Sequence, residues 1–148
     1  MKPNWEKFPA TKDEYYSMLD YVMGIAEKSG MSEVQQMRLE LGFEEAAANV
    51  INYAYTEKED GKIQIRAYVE DERFFVELKD NGTPFNPLVV DKTIDKPKTL
   101  EEAKIGGLGI AFMQRIFDEM SYHYGREGKL FYNKLVLGMK MTQEEDDG

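Results

Sequence analysis

Cysteine is absent from this 148-residue chain, and histidine and tryptophan occur once each. Without thiols there is no disulfide, no thiolate metal cage and no thiol nucleophile. Long apolar runs are missing as well. No stretch approaches the ~20 residues of a membrane-spanning helix, and the opening Met1-Lys2-Pro3-Asn4-Trp5-Glu6 lacks the apolar segment of a signal peptide. No membrane partner is expected, and the cytoplasm is the expected location. Positive charge is scarce: 19 lysines and arginines against 28 acidic residues leave a net charge of −9. Nucleic acid is therefore not an expected partner, because phosphate backbones call for a basic face. Part of the acidic excess lies in the tail over 143–148, expected to be frayed and solvated.

What is present suits one domain over 1–148, since 42% of residues are hydrophobic and the length allows a sizeable core. The nine methionines read as core filler. Thr11-Lys12-Asp13-Glu14 has capping-box spacing, with Glu14 expected to reach back to Thr11. Leu19, Val22, Met23 and Ala26 follow at helical spacing, and Gly30 is the expected stop. Ser32-Glu33-Val34-Gln35 is a second capping box, opening a long helix to about Tyr55. Ile63, Ile65, Ala67 and Val69, then Phe74, Val76 and Leu78, alternate as the arms of a hairpin turning at Glu70-Asp71-Glu72. The stretch from Asn81 to about Ile105 reads as a long loop, of the kind that is functional or disordered inside a compact domain. Gly107 through Glu119 predicts a helix, and two strands, about Met120–Tyr124 and Leu130–Met141, close the chain through Gly125-Arg126-Glu127-Gly128. This order predicts a two-layer α/β sandwich with helices on one face of a mixed, mainly antiparallel sheet.

Four groups of residues could carry chemistry. Arg38, Glu45, Asn49 and Asn52 share one face of the second helix. A carboxylate and an amide at i and i+4 can share a hard cation, or divide the holding of a metal from the taking of a proton; an ordinary solvated face has the same pattern. Asp80 continues the inward series Phe74, Val76, Leu78, so its carboxylate needs a donor such as an adenine amino group, although Asp-Asn-Gly is also a common turn. Gly82 allows close approach of a ligand to the backbone. Gly106-Gly107-Leu108-Gly109 precedes a helix whose unpaired N–H groups suit phosphate, or else is a flexible connector. Asn133 has the inward parity of Leu135 and Leu137. It either helps hold a base beside Asp80 or makes a structural hydrogen bond. His123, among aromatic neighbours on a short strand, reads as structural.

The order Glu45-x-x-x-Asn49, Asp80-x-Gly82, Gly106-Gly107-x-Gly109 resembles the three ATP-binding boxes of the GHKL superfamily. Phe43 to Tyr55 and Asp80-Asn81-Gly82-Thr83-Pro84-Phe85-Asn86-Pro87 look most like the anti-sigma factor serine/threonine kinases, over about residues 8 to 141. The resemblance implies a Bergerat (histidine kinase-like ATPase) fold with ATP and Mg²⁺ as cofactors. It implies Glu45 as general base and Asn49 as the Mg²⁺ ligand. Asp80 would accept from the adenine amino group and Gly82 would pack on the base. Asn52, Pro84, Phe85, Gly106, Gly107, Leu108, Gly109 and Asn133 would complete the nucleotide site, with Lys104 or Arg115 steadying the γ-phosphate. Residues 88–106 would be the ATP lid. The implied partners are a small antagonist protein (STAS-like) that is phosphorylated, a sigma factor, and a second copy in a homodimer. A non-catalytic ATP switch and a detached histidine-kinase catalytic domain are the alternatives. The chain departs from the pattern at Tyr53, where many relatives carry histidine, and at Thr83-Pro84-Phe85, where a further glycine is frequent. Neither departure removes a proposed catalytic or metal atom.

Overall fold

The computed structural model describes residues 2–51, 61–82 and 109–141. The elements are β1 (Glu6–Pro9), a 3-10 turn (Lys12–Glu14), α1 (Tyr15–Lys28), α2 (Glu33–Asn49), β2 (Lys62–Glu70), β3 (Arg73–Asp80), α3 (Gly109–Ile116), β4 (Glu119–Glu127) and β5 (Leu130–Lys140). The strands form one five-stranded sheet in the order β1-β2-β3-β5-β4. Every described pairing is antiparallel. None of the described helices is long and apolar enough to cross a membrane.

Both helix starts were legible, with one correction each. Thr11 is the N-cap of the 3-10 turn, but its side chain makes no capping bond; the backbone does, from Glu14 N–H to the Thr11 carbonyl at 3.1 Å. Ser32 caps α2 as its spacing predicts, accepting from the Gln35 N–H at 3.2 Å, an arrangement worth about 1 kcal/mol. The Gln35 side chain does not reach back. It is buried and donates to the Lys140 carbonyl on β5 at 2.7 Å. Gly30, at φ +86°, ends α1 in the left-handed conformation that glycine adopts without a Cβ penalty. The α-helical geometry of α2 ends at Asn49 and turns to π geometry at residues 50–51; the expected run to Tyr55 lies outside the described residues. The β2–β3 turn is tight, with Asp71 and Glu72 both at positive φ, the backbone that matches strand twist in two-residue hairpins.

Three boundaries differ from expectation. β1 has no alternating pattern, yet Phe8 is buried and the strand pairs along β2. The helix expected to reach Glu119 stops at Ile116, and β4 starts at Glu119. β4 runs through Gly125 to Glu127, so the turn is later, at Gly128 with φ +63°.

Period-2 alternation gives the sheet one face for the helices. Ile63, Ile65, Phe74, Val76, Leu78, Leu135, Leu137 and Met139 are buried there against Met18, Val22, Leu39, Phe43, Ala46 and Ala47. Gly42 sets how closely α2 and α3 approach: a Cβ at that position would lie 2.6 Å from Phe117 Cε2 and 3.1 Å from Ile116 Cγ2. Arg38 adds a second tie, its Nη2 donating to the Arg115 carbonyl at 2.6 Å.

The opposite face holds an unexpected buried charge. Glu77 is 1% exposed. Its Oε1 accepts from Arg66 Nε and Nη2 at 3.0 and 2.8 Å, and its Oε2 accepts from the Tyr68 hydroxyl. Trp5 lies against the Arg66 guanidinium, 4.1 Å from ring centroid to Cζ, and Phe75 stacks on Tyr68 at 5.5 Å. Burial pushes the Glu77 carboxyl up, but hydrogen bonds from Tyr68 and Arg66 and the positive charges of Arg66 and Lys2 outweigh it, holding the group below the usual carboxylate value.

Two outcomes follow. Gly42→Ala should destabilise by about 1–3 kcal/mol through overpacking against Phe117, despite the better helix propensity of alanine. Urea unfolding showing equal or greater stability would refute the close approach. Because the Glu77 value is depressed in the fold, its stabilisation is full above the unfolded carboxylate value of ~4.3 and fades as pH falls through the folded one. Glu77→Gln should therefore lower the urea midpoint at neutral pH and converge on the parent in acid; a gap that persists or widens in acid would contradict this.

Candidate functional site

The β3–β5 register places Asp80 directly opposite Asn133. Both side chains are on the helix-facing side and are buried, at 4% and 3% exposure. Asn133 Nδ2 donates to Asp80 Oδ1 at 2.9 Å, and the Gly82 N–H donates to the same oxygen at 2.9 Å. Asn133 Nδ2 also lies 3.4 Å from the Gly82 carbonyl. The inward parity of Asp80 and Asn133 is as the alternation predicts, and the pairing of β3 with β5 brings the two together. The Asp-Asn-Gly turn is present too: Gly82 closes it onto Asp80 Oδ1, so turn and candidate site are one feature.

Desolvation dominates the electrostatics of Asp80. Burial pushes its carboxyl above the usual carboxylate value, and the donors on Asn133 and Gly82 recover only part of the loss. A buried carboxylate still short of donors favours a ligand that supplies one. On the other face of the sheet, away from the Asp80 carboxyl, Lys62, Gln64, Lys79 and Tyr132 wall a separate cleft of about 210 Å³ that reaches the strand end at Asp80 and Asn81. Beyond Asn133, Tyr124 and Phe131 stack nearly parallel, with centroids 5.6 Å apart and a 6° tilt, and both remain exposed.

On α2, Glu45 and Asn49 share one face one turn apart and are half-buried, at the edge of the buried stripe that holds Ala46, Val50 and Ala47. The π turn follows directly at residues 50–51, a geometry frequent at functional sites. Arg38, the third member of the stripe, is instead committed to α3, and its Nε is buried with no partner among the described residues. Gly109 is the first residue of α3. Arg115 is in the last turn of that helix, about 9 Å along the axis from Gly109. Asn52, Pro84, Phe85, Lys104, Gly106, Gly107, Leu108, the lid over 88–106 and the tail over 143–148 lie outside the described residues. Among the described residues no group of three acidic or histidine side chains forms a metal cage. His123 lies on the open sheet face, exposed, with its ring 6.1 Å from that of Tyr132.

Tyr122, Tyr124 and Phe131 were not singled out from the sequence. The parity that placed Asn133 inward also places Tyr122 and Tyr124 on that face once β4 is paired with β5, a signal that only the register supplies.

An α/β layer with a buried aspartate at a strand end, beside a helix carrying a carboxylate and an amide, defines a nucleotide-binding class of fold. The chain belongs to the histidine kinase-like ATPase domain family, whose model matches residues 8–132. It is similar to the serine-protein kinase RsbW of Listeria innocua, with 29% identity over 84% of this chain and 82% of that protein. The serine-protein kinase RsbW of Bacillus subtilis is 29% identical over 77% of this chain and 73% of its own. Among solved structures, the catalytic domain of histidine kinase ThkA aligns over 96% of this chain and 100% of its own, with 16% identity and a TM-score of 0.49. The family resemblance read from the three boxes is thus borne out, and with it the α/β sandwich.

Asp80→Asn tests the strain at the site. A carboxyl raised in the fold costs stability as pH climbs from the unfolded value through the folded one, because the unfolded chain ionises first. Asparagine keeps an Oδ1 for Asn133 and Gly82 and removes the buried charge. The variant should melt at or above the parent at neutral pH, with the difference vanishing in acid. A clearly lower melting temperature at neutral pH would mean that the charge is met within the fold.

Proposed function

We propose that this chain is an ATP-dependent protein serine/threonine kinase of the anti-sigma factor type, acting on a small antagonist protein and binding a sigma factor as a dimer. The observation that carries the nucleotide reading is Asp80: buried, raised by desolvation, held on one oxygen by Asn133 and Gly82, and so suited to accept from an adenine amino group. Lengths support the placing of the catalytic helix. Gln35 ties the start of α2 to Lys140 at the end of β5. From there Asn49 is about 21 Å along the helix and Asn133 about 23 Å back along the strand. A helix that follows the strands brings Glu45 and Asn49 to the Asp80 end of the sheet. The names of the similar kinases support the choice of a hydroxyl acceptor.

Phosphoryl transfer is chiefly positioning and charge neutralisation. Asp80 fixes the base, with Gly82 close to it. The Asn49 amide oxygen is a hard donor suited to Mg²⁺, and the start of α3 at Gly109 offers backbone N–H groups to phosphate. Mg²⁺, when bound, neutralises charge on the phosphates. Glu45 takes the proton from the attacking serine or threonine hydroxyl as its oxygen bonds to the γ-phosphorus and the bridge to the β-phosphate breaks.

A pull-down from the native cell with and without ATP, followed by phosphosite mapping, identifies the acceptor. With that acceptor, Glu45→Ala should keep ATP binding by calorimetry but lose about 10²–10⁴-fold in phosphotransfer. Normal transfer by that variant would remove Glu45 as the base, and saturable ATP binding with no phosphoacceptor at all would favour a non-catalytic switch.

A further inference from the structure

The outer face of α2 is apolar where a solvated helix face is ordinarily polar. Met37, Val34 and Leu41 are 67%, 54% and 49% exposed. By helical geometry they and Ala48 fall within an arc of about 60°, opposite the buried Leu39, Phe43 and Ala46. Ala48 carries the stripe into a cleft of about 250 Å³ between α2 and the segment from Lys12 to Tyr16, where Tyr15, Tyr16 and Ile51 supply apolar lining. Exposed Glu33, Glu40 and Glu44 form one rim of the stripe. Glu40 and Glu44 stand near enough to the Tyr15 hydroxyl to add to the rise that its burial causes. Glu45 is on the other rim, one turn from both Leu41 and Ala48. Beyond it, Arg38 is turned to the Arg115 carbonyl.

A contiguous exposed apolar stripe marks a contact surface, and its rims say what covers it. A second copy packed stripe to stripe would set glutamates against glutamates. A helix that lies on a membrane carries basic flanks, not acidic ones. Anchors at i, i+3 and i+7 that run on to a cleft suit an amphipathic helix laid along them, and acidic rims suit lysine or arginine on its flanks. We propose that this stripe and its cleft dock the phosphoacceptor protein, through a helical segment apolar on one face and basic beside it, and so bring its hydroxyl to Glu45. This rests on the reading of the chain as a protein kinase with Glu45 as base. The residues assigned to ATP lie elsewhere, so the stripe governs the acceptor alone.

The test uses the full chain and the acceptor found by phosphosite mapping. Met37→Gln combined with Leu41→Gln keeps helix propensity. The double variant should bind ATP as wild type does by calorimetry, keep its kcat at saturating acceptor, and lose about tenfold or more in kcat/KM for the acceptor. If it has no cooperative melting transition, Met37→Gln alone should lose about threefold or more. Glu33→Lys combined with Glu40→Lys should raise the acceptor KM several-fold in low salt, a gap that closes in high salt. Unchanged acceptor kinetics in the glutamine variants, or a loss of kcat or ATP affinity with KM unmoved, overturns the docking surface while leaving the kinase reading in place. Unchanged kinetics in the lysine variant overturns the basic character of the segment. Wild type that binds ATP but phosphorylates no protein overturns the kinase reading, and the docking role falls with it.

Discussion

The register between β3 and β5 is the constraint on which the site depends. Asp80 opposes Asn133 because Leu78 opposes Leu135 and Val76 opposes Leu137. These apolar pairs are buried against the helices, and a slip of one residue would turn them all to the other face. The hydrophobic core thus fixes the polar pair. The large free energy of apolar burial stabilises the fold, and part of that stability offsets the burial of a carboxylate whose local donors do not fully compensate it. Local strain maintained by surrounding structure is a recurrent property of binding sites.

Small residues on the buried face of α2 let α2 and α3 close on one another. The buried face of α2 is Gln35, Leu39, Gly42, Phe43, Ala46 and Ala47, and its small members lie close to the proposed chemistry. Gly42 admits Phe117, and Arg38 closes on the end of α3. Two helices held this closely are a rigid mount for Glu45 and Asn49, and catalytic geometry tolerates little looseness.

Much of this was legible because it depends on local pattern. Alternation through Phe74, Val76 and Leu78 gave the direction of Asp80, and the spacing from Ser32 to Gln35 gave the start of α2. The losses have physical causes. β1 contributes only one buried side chain, Phe8, so its strand character comes from pairing with β2 rather than from its own residues. Gly125 reads as a turn, yet it lies in β4, where a Cβ would meet the Tyr132 ring at 2.9 Å; a glycine required by crowding looks the same in sequence as one required by a turn. The Thr11 box has the right spacing, but a 3-10 turn begins there and its backbone takes the bond that the side chain was expected to make. The Glu77 network joins residues on β2 and β3 to the amino-terminal segment, which no local window connects.

The open sheet face also settles where light-based probes will be informative. Trp5 is the sole tryptophan of the chain, and its indole lies over Arg66 and Lys79, on the side of the sheet away from the Asp80 carboxyl. Its emission is thus a native reporter on how the first strand is seated, apart from events at the proposed nucleotide site around Asp80. Quenching by added nucleotide would signal a disturbance carried through the thickness of the sheet rather than direct contact with the indole.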